Sequence, residues 1–463
     1  MRISAHAVVR MLGTWRNGPG PAHRALSDRL RLLVLDGRLA LGTALPGERD
    51  LATALGASRT TVSTAYRALV DHGYLATSPR SRATVRLPGG QAPHLPSASP
   101  GETIDLSVAA PPAPVEVLHS AYTAALQQLP RHFDRHGYDR HGITVLREAV
   151  ARRYERRGLP TSPDHVLITN GAQHALALLT RTLVSPRDRI VLDHPTYPHA
   201  IRTFTDARAR LLPVALTPEG WDAGQLRAVS RDADLAYLIP DFHNPTGRCM
   251  PSAVRERLSP GCPVLVDETM AELALDQPVP EAFARYHPSA ISIGSAAKSI
   301  WGGLRIGWIR ARPALLDRVA QLRSGLDLGT PVLEQLATAV LLDGPDTYQS
   351  ARLEKVRAQR ETLRAALAGQ LPQLAVPQPP GGLALWTTFP KPISSRLAAI
   401  APEYGVTIAA GPRFGVGGAF ERNVRLPYTL PDDQLTEAVR RLARAHHAVT
   451  RGETGHHEPA SVA

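Results

Sequence analysis

Lys298 lies among small residues in the stretch 294–307, with Ser295 three positions before it and Arg305 seven positions after it. A lysine amine attacks a carbonyl only when it is neutral, and partial burial near other cations removes its proton. The serine hydroxyl and the guanidinium fork suit a phosphate dianion. The stretch therefore indicates a Schiff base between Lys298 and an aldehyde that also carries a phosphate. Taken alone, it also fits a surface lysine in a glycine-rich loop.

The chain has few lysines and cysteines, which limits the residues that could form a Schiff base, a disulfide or a metal site. The 463-residue chain has three lysines, Lys298, Lys355 and Lys391. Lys355 lies in a polar helical run and Lys391 lies between two prolines, so neither has comparable surroundings. Cys249 and Cys262 are the only cysteines, too few for a disulfide framework or a zinc site. We therefore expect no bound metal and a cytoplasmic location.

The overall charge points to a polyanionic partner. The net charge is +12, and no apolar run is long enough to span a bilayer. An arginine-rich composition bias would give the same charge, so the charge alone does not establish nucleic-acid binding. The N-terminal residues have no apolar signal-peptide core.

Strand-like and helix-like segments alternate from residue 104 onward, which is typical of a mostly parallel sheet with helices on both faces. Ligands of such sheets bind beyond the carboxyl ends of the strands. Every candidate cofactor residue follows one of the predicted strands, which are 165–169, 189–192, 235–239, 264–267 and 290–293.

The first strands end in groups that suit an anion and an aromatic ring. Backbone N–H groups of Gly171, Ala172 and Gln173 open a helix, where the helix dipole favours an anion. Tyr197 could stack on a ring, although a turn tyrosine packed on the sheet edge is equally compatible with its position. Asn244 can reach a ring hydroxyl, although an Asn-Pro turn explains it as well.

Asp267 ends the apolar strand 264–267, so its carboxylate is expected to be buried and to need a cationic partner. A protonated pyridine nitrogen is such a partner.

Residues 21–88 predict a helix-turn-helix followed by two strands that form a wing. Helices are predicted at 22–36 and 48–55, and Ser58 can cap a third helix whose buried stripe includes Val62, Tyr66 and Leu69. The opposite face of that helix is polar and carries Arg59, Thr60, Ser63 and Arg67.

The same segment resembles the winged-helix domain of GntR-family regulators, through residues 37–39, 45–52, 57–69 and 73–75. The resemblance implies that Arg49 and the start of the third helix, Ser58, Arg59 and Thr60, face the DNA major groove. The basic wing tip, with Arg80 and Arg82, is expected to reach the adjacent DNA backbone. The segment holds ten arginines against five acidic residues, which favours phosphate contacts. Gly47 at the second helix and a wing tip without glycine depart from the family pattern.

The order of groups from Gly171 to Arg305 resembles fold-type I aminotransferases, and the whole chain resembles the MocR subfamily of GntR regulators. The resemblance implies pyridoxal 5′-phosphate (PLP) as the cofactor, bound by a Schiff base to Lys298. It also implies a role for each candidate residue. Asp267 pairs with the pyridine nitrogen, Asn244 contacts the ring oxygen, Tyr197 stacks, and the phosphate is held by Gly171, Ala172, Gln173, Ser295 and Arg305. Arg425 matches the arginine that binds a substrate carboxylate, and Tyr138 is expected to reach the phosphate of the neighbouring subunit.

One position departs from the aminotransferase pattern. The family has a tyrosine two or three residues after the aspartate, whereas this chain has Thr269 and Met270. Loss of that phenol favours a sensor over an efficient transaminase without preventing Schiff-base formation.

The sequence therefore predicts an N-terminal tail (1–20), a winged helix-turn-helix domain (21–88), a linker (89–104), an α/β aminotransferase-like PLP domain (105–450) and a disordered tail (451–463). We expect a DNA-binding transcriptional regulator that senses an amino acid, an amine or PLP, acts as a homodimer, head-to-tail by resemblance, and is not associated with a membrane. Two alternatives stay open, namely an active aminotransferase tethered to DNA and a scaffold that has lost the cofactor.

Overall fold

The computed structural model describes residues 3–13, 15–16, 20–35, 39, 43–77, 82–86, 103–344 and 346–451. These residues form a small helical N-terminal domain, a large domain around a seven-stranded sheet and a small subdomain around a four-stranded sheet. Within these ranges, no helix is both long and apolar enough to cross a bilayer.

The N-terminal domain confirms the predicted helix-turn-helix. Gly56 adopts a left-handed conformation at the end of the helix Glu48–Leu55, and the Ser58 hydroxyl accepts the Thr61 N–H at 3.0 Å to begin the helix Arg59–Asp71. Leu75 pairs with Val85 in the short antiparallel wing. The elements are α1 (Ala5–Leu12), α2 (Ala22–Leu35), α3 (Glu48–Leu55), α4 (Arg59–Asp71), β1 (Leu75–Ala76) and β2 (Thr84–Val85).

The prediction of a loose tail over residues 1–20 is wrong for residues 5–12. Ser4 caps α1, and Val8 and Leu12 are fully buried in the core of the N-terminal domain. An eight-residue helix is marginal alone, and its burial against α3 provides the stabilisation that the sequence signal lacked.

The large domain contains one sheet in the order β4-β10-β9-β8-β7-β5-β6. All five predicted strands are present, and β6 and β10 are additional. β10 runs antiparallel to both of its neighbours, whereas the other pairings are parallel. The strands are β4 (Val166–Thr169), β5 (Arg189–His194), β6 (Arg210–Ala215), β7 (Leu235–Leu238), β8 (Val264–Asp267), β9 (Ile291–Ser295) and β10 (Gly307–Arg310).

Helices cover both faces of this sheet, as predicted. Leu146 and Leu336 belong to the hydrophobic core on one face, and Leu176 and Phe204 belong to the core on the other. The helices of this domain are α5 (Val115–Gln128), α6 (Thr144–Arg156), α7 (Ala172–Leu183), α8 (Pro198–Asp206), α9 (Ala223–Ser230), α10 (Ser252–Arg257), α11 (Pro313–Arg323) and α12 (Val332–Leu342).

The small subdomain has the strand order β11-β13-β12-β3. Its elements are β3 (Ile104–Leu106), α13 (Asp346–Gln370), β11 (Ala384–Thr388), α14 (Ser394–Ile400), β12 (Val406–Ala410), β13 (Asn423–Pro427) and α15 (Asp432–Arg451). Ile104, predicted to end the linker, already pairs with Val406 as the first residue of β3. Arg451 is the last residue of α15 rather than the first of the tail. Residues 89–102 of the linker and 452–463 of the tail lie outside the described residues.

Candidate active site

Lys298 follows β9 in a single π-helical turn, Ala297–Trp301, a distortion that often occurs at functional sites. Its amine donates to the Ala109 carbonyl at 2.7 Å. Burial, with Arg425 as the next contribution, lowers the pKa of Lys298 to about 8, while Asp267 opposes the shift. Roughly a tenth of this amine is therefore in the neutral, nucleophilic form at pH 7, far more than for an ordinary lysine.

Asp267 lies at the carboxyl end of β8 with its side chain buried. One carboxylate oxygen accepts the Tyr237 hydroxyl at 2.8 Å, and the other accepts the Thr269 N–H at 3.0 Å. Burial and the neighbouring Asp267 raise the pKa of Tyr237 well above its usual value, so the phenol stays protonated and donates. The carboxylate is thus fixed in orientation at the end of the strand.

The start of α7 forms a cradle for an anion. Gly171 has a φ of +86° and provides no side-chain cap, so none of its atoms competes for the first N–H groups of the helix. Arg305 donates to the Asn170 carbonyl at 2.9 Å, and a Cβ on Gly171 would lie 2.7 Å from its guanidinium. The glycine, Ala172, Gln173 and Arg305 are therefore grouped as the sequence predicted.

Ser295 lies next to this cradle but its hydroxyl has other partners. It donates to the Ile306 carbonyl at 3.0 Å and accepts the Ala297 N–H at 3.1 Å. In this arrangement the serine stabilises the turn that carries Lys298. Its role as a phosphate ligand stays a prediction.

Arg425, on β13, approaches the site from the small subdomain. Its guanidinium donates to Asn244 Oδ1 at 3.3 Å and to the Ser107 carbonyl, and lies 5.0 Å from the centre of the Phe414 ring. Burial, followed by Arg413, lowers the pKa of Arg425 to about 10. Among the described residues, the buried Arg425 Nε has no hydrogen-bond partner, which leaves a donor for a carboxylate oxygen.

Tyr197 precedes α8 and belongs to the same charged environment. Burial and then Asp267 raise its pKa to about 12, while Arg425 and Arg305 act in the opposite direction. The tyrosine therefore shares surroundings with Lys298 and Asp267, and its stacking on a ring stays a prediction.

Sequence reasoning missed the groups beneath the site. Tyr237 is fully buried in an apolar strand, and a buried phenol usually has a polar partner, which was the available signal. Asp193 is also buried, accepting from Trp221 Nε1 at 2.8 Å and from the Ile239 N–H at 2.9 Å. Burial raises the pKa of Asp193 to about 7. Its oxygen lies 3.7 Å from His243 Nε2, and burial lowers the pKa of His243 to about 3.

The positions that depart from the aminotransferase pattern do not bring a phenol into the site. Met270 packs in the core of the small subdomain, and Thr269 contributes its N–H to Asp267. The phenol that contacts Asp267 is instead Tyr237, from β7.

The predicted DNA-binding residues lie mostly on one exposed surface. Arg49, Arg59, Thr60 and Arg67 are exposed, and Ser63 is half-buried on the same helix. The Ser58 hydroxyl is used as the helix cap, so any DNA contact would share that group. Arg82 is exposed, with a guanidinium nitrogen 3.7 Å from an Asp50 oxygen. Arg80 lies outside the described residues.

Tyr138 is 63% exposed and packs on His136 with ring centres 5.5 Å apart. Within the described residues, Tyr138 makes no contact with Lys298 or Arg305. Its predicted contact with a neighbouring subunit stays a prediction.

The donor set fits PLP. A buried amine with a lowered pKa, a fixed carboxylate and an uncapped helix start beside a guanidinium match an aldehyde, a ring nitrogen and a phosphate respectively.

Comparison with protein families matches residues 102–442 to aminotransferase class I and II and residues 23–85 to the gntR family of bacterial regulatory proteins. The chain is 33% identical over 313 residues to a 2-aminoadipate transaminase from Thermus thermophilus, covering 64% of this chain and 79% of the relative. It is 31% identical over 396 residues to the probable rhizopine catabolism regulatory protein MocR of Rhizobium meliloti, covering 77% of this chain and 79% of the relative.

Among solved structures, the fold is similar to the α-aminoadipate aminotransferase LysN from Thermus thermophilus, complexed with N-(5′-phosphopyridoxyl)-L-leucine. The TM-score is 0.69 at 28% identity, over 76% of this chain and 94% of that one. The chain therefore belongs to the aminotransferase class I and II family and, with its GntR-type DNA-binding domain, to the MocR subfamily of regulators.

Proposed function

We propose that this protein is a PLP-dependent transcriptional regulator that binds DNA through its N-terminal domain and recognises an amino compound at Lys298. The observation that carries the proposal is one chain that holds both a buried, low-pKa lysine facing Arg425 and an exposed basic recognition helix. Bound PLP supplies an aldehyde that condenses with primary amines and a ring that withdraws electrons.

The protein's own residues have distinct tasks in this proposal. Lys298 would provide the amine that anchors the cofactor through its aldehyde. Asp267 holds the protonated ring nitrogen, with Tyr237 keeping the carboxylate oriented. The helix start at Gly171, together with Arg305, binds the phosphate.

Arg425 selects the effector by its carboxylate. Its buried Nε, which donates to none of the described residues, supports this task, because the oxygens of a carboxylate can accept hydrogen bonds from neighbouring N–H groups of a guanidinium. An effector with both an amine and a carboxylate could therefore place its amine where the Lys298 amine lies and its carboxylate at Arg425. This favours an amino acid over a simple amine.

A homodimer forms part of the proposal, with the head-to-tail arrangement implied by family resemblance. Large apolar side chains are unusually exposed on and after α5, with Val115 at 74%, Phe133 at 70% and Leu126 at 55%. Val115 and Leu126 lie about three turns apart on the same side of α5, and a contiguous exposed apolar patch often marks an interface. Tyr138 lies just beyond this surface in sequence, which supports its predicted approach to the phosphate of the partner subunit.

The test combines absorbance with DNA binding. Purified protein should carry a visible PLP absorbance that the Lys298→Ala variant loses, and a panel of amino acids should change the affinity of the wild type for genomic DNA fragments selected by binding. The matched control is Lys355→Ala, an exposed lysine on α13. Retention of the absorbance and of the ligand response in Lys298→Ala would overturn the proposal.

An aminotransferase carrying a DNA-binding domain is the second candidate, favoured by the complete Lys298, Asp267 and Arg425 set and by the similarity to a 2-aminoadipate transaminase. Assays with L-2-aminoadipate and other amino donors against 2-oxo acids discriminate the two. Sustained turnover without any effect of amino acids on DNA binding would favour the enzyme.

A further inference from the structure

The N-terminal domain packs on the small subdomain through α2 against α14. Arg29 of α2 lies at this contact with its side chain only 4% exposed. Its guanidinium donates to Ser395 Oγ at 2.6 Å and to Glu421 Oε1 at 2.8 Å. The second oxygen of Glu421 accepts the Ser395 N–H at 3.0 Å. We call Arg29, Ser395 and Glu421 the latch.

Burial makes the latch sensitive to the loss of either charged member. The Glu421 side chain is 10% exposed, so separation of the domains would leave both charges to find new partners. Breaking a buried pair by removing one member strands the other charge, whereas removing both leaves none unpaired. The pair therefore fixes how the two domains sit against each other.

Gly418 allows the backbones of the small subdomain and the N-terminal domain to approach closely beside the latch. Gly418 has a φ of +78°, and a Cβ there would lie 2.5 Å from the Arg29 guanidinium and 2.9 Å from the Leu12 carbonyl. The Leu12 carbonyl also accepts from Arg29 Nε at 3.2 Å. A side chain at Gly418 would push the domains apart, so the contact depends on the bare backbone.

The segment 411–421, which we call the coupling loop, carries Glu421 and Gly418 at one end and contacts the cofactor site at the other. Its Val416 N–H donates to His194 Nε2 at 2.9 Å. Its Phe414 carbonyl accepts the Thr196 N–H at 2.8 Å. Both partners lie within three residues before Tyr197 in the chain.

A second route into the coupling loop starts from the effector arginine. The Arg425 guanidinium lies over the Phe414 ring, and Trp386 packs edge-on against Phe414 and Phe420 at 5.3 and 5.8 Å. Any ligand that moves Arg425 therefore pushes on packed rings of this loop. Packed cores respond to such shifts as units rather than by continuous deformation.

We propose that the coupling loop and the latch transmit occupancy of the cofactor site to the DNA-binding domain. The inference rests on the proposed function, since it assumes that the site is occupied by PLP. Ligand entry changes the hydrogen bonds of Thr196 and Val416, the loop repositions Glu421, and Arg29 turns α2 with it.

The test is hydrogen–deuterium exchange on full-length protein, with PLP as the probe. In the wild type, PLP loading should change exchange in α7 and also in α1 and α2. In Glu421→Gln, the change in α7 should persist while the change in α1 and α2 becomes at least about fivefold smaller. The matched control is Glu354→Gln, an exposed glutamate on α13 that should behave as the wild type.

A double variant, Arg29→Gln with Glu421→Gln, guards against misfolding because it leaves no stranded charge. It should also lose transmission while retaining PLP absorbance. Transmission equal to the wild type in either latch variant would overturn the inference. Absence of PLP binding by the wild type would instead overturn the proposed function, so the two failures are distinguishable.

Discussion

Replacing Arg425 with glutamine should slow cofactor capture by Lys298 at neutral pH. Burial is the first cause that lowers the pKa of Lys298 to about 8, and Arg425 is the second. At pH 7 a pKa of about 8 leaves roughly a tenth of the amine neutral, about 300-fold more than the ordinary value of 10.5 would leave. Removing a neighbouring cation favours the protonated amine, so the pKa of Lys298 rises in the variant.

The assay follows the absorbance of PLP after mixing with PLP-free protein between about pH 7 and about pH 10. The wild-type association rate should rise about tenfold per pH unit below about pH 8 and then level off. In Arg425→Gln the levelling should move to higher pH, and each unit of movement slows capture at pH 7 about tenfold. Arg422→Gln, an exposed arginine three positions earlier, is the control.

Two results would refute this reasoning. A wild-type rate that still rises about tenfold per pH unit between about pH 9 and about pH 10 would mean that burial does not lower the pKa of Lys298. A folded Arg425→Gln variant whose profile is unchanged, or moves to lower pH, would mean that the charge of Arg425 does not act on the amine.

Three further substitutions test separate parts of the structure. Tyr237→Phe removes a hydrogen bond to the Asp267 carboxylate, so we expect about 1.5–3 kcal/mol lower stability, measured by denaturant unfolding, and weaker PLP retention on dialysis. An unchanged PLP affinity would show that the Tyr237 phenol does not contribute to cofactor binding. Arg59→Ala should weaken DNA binding and make the negative slope of log affinity against log salt shallower by about 1. An unaltered slope would mean that Arg59 does not contact a DNA phosphate. Gly418→Ala should lower the melting temperature and raise protease sensitivity between the domains, because that position has a φ of +78° and no room for a Cβ.

Sequence reasoning succeeded where a signal is local. The cap at Ser58 and the glycine stop at Gly56 define the helix-turn-helix because both act within one helical turn. The apolar strands predicted the sheet, and their order along the chain put Gly171, Asp267 and Lys298 at its carboxyl edge. The α1 helix was missed because its stabilisation comes from burial against α3, which no short window of sequence reports.

The sequence by itself determined the order of the candidate groups from Gly171 to Arg305, because most of them follow strands whose apolar pattern is local. Only the tertiary structure decided how those groups are partnered. The pairing of Tyr237 with Asp267, of Arg425 with Asn244, and of Arg29 with Glu421 joins residues that are far apart in the chain. Such pairings depend on which elements pack together, and hydrophobic periodicity does not encode the choice of one buried partner over another.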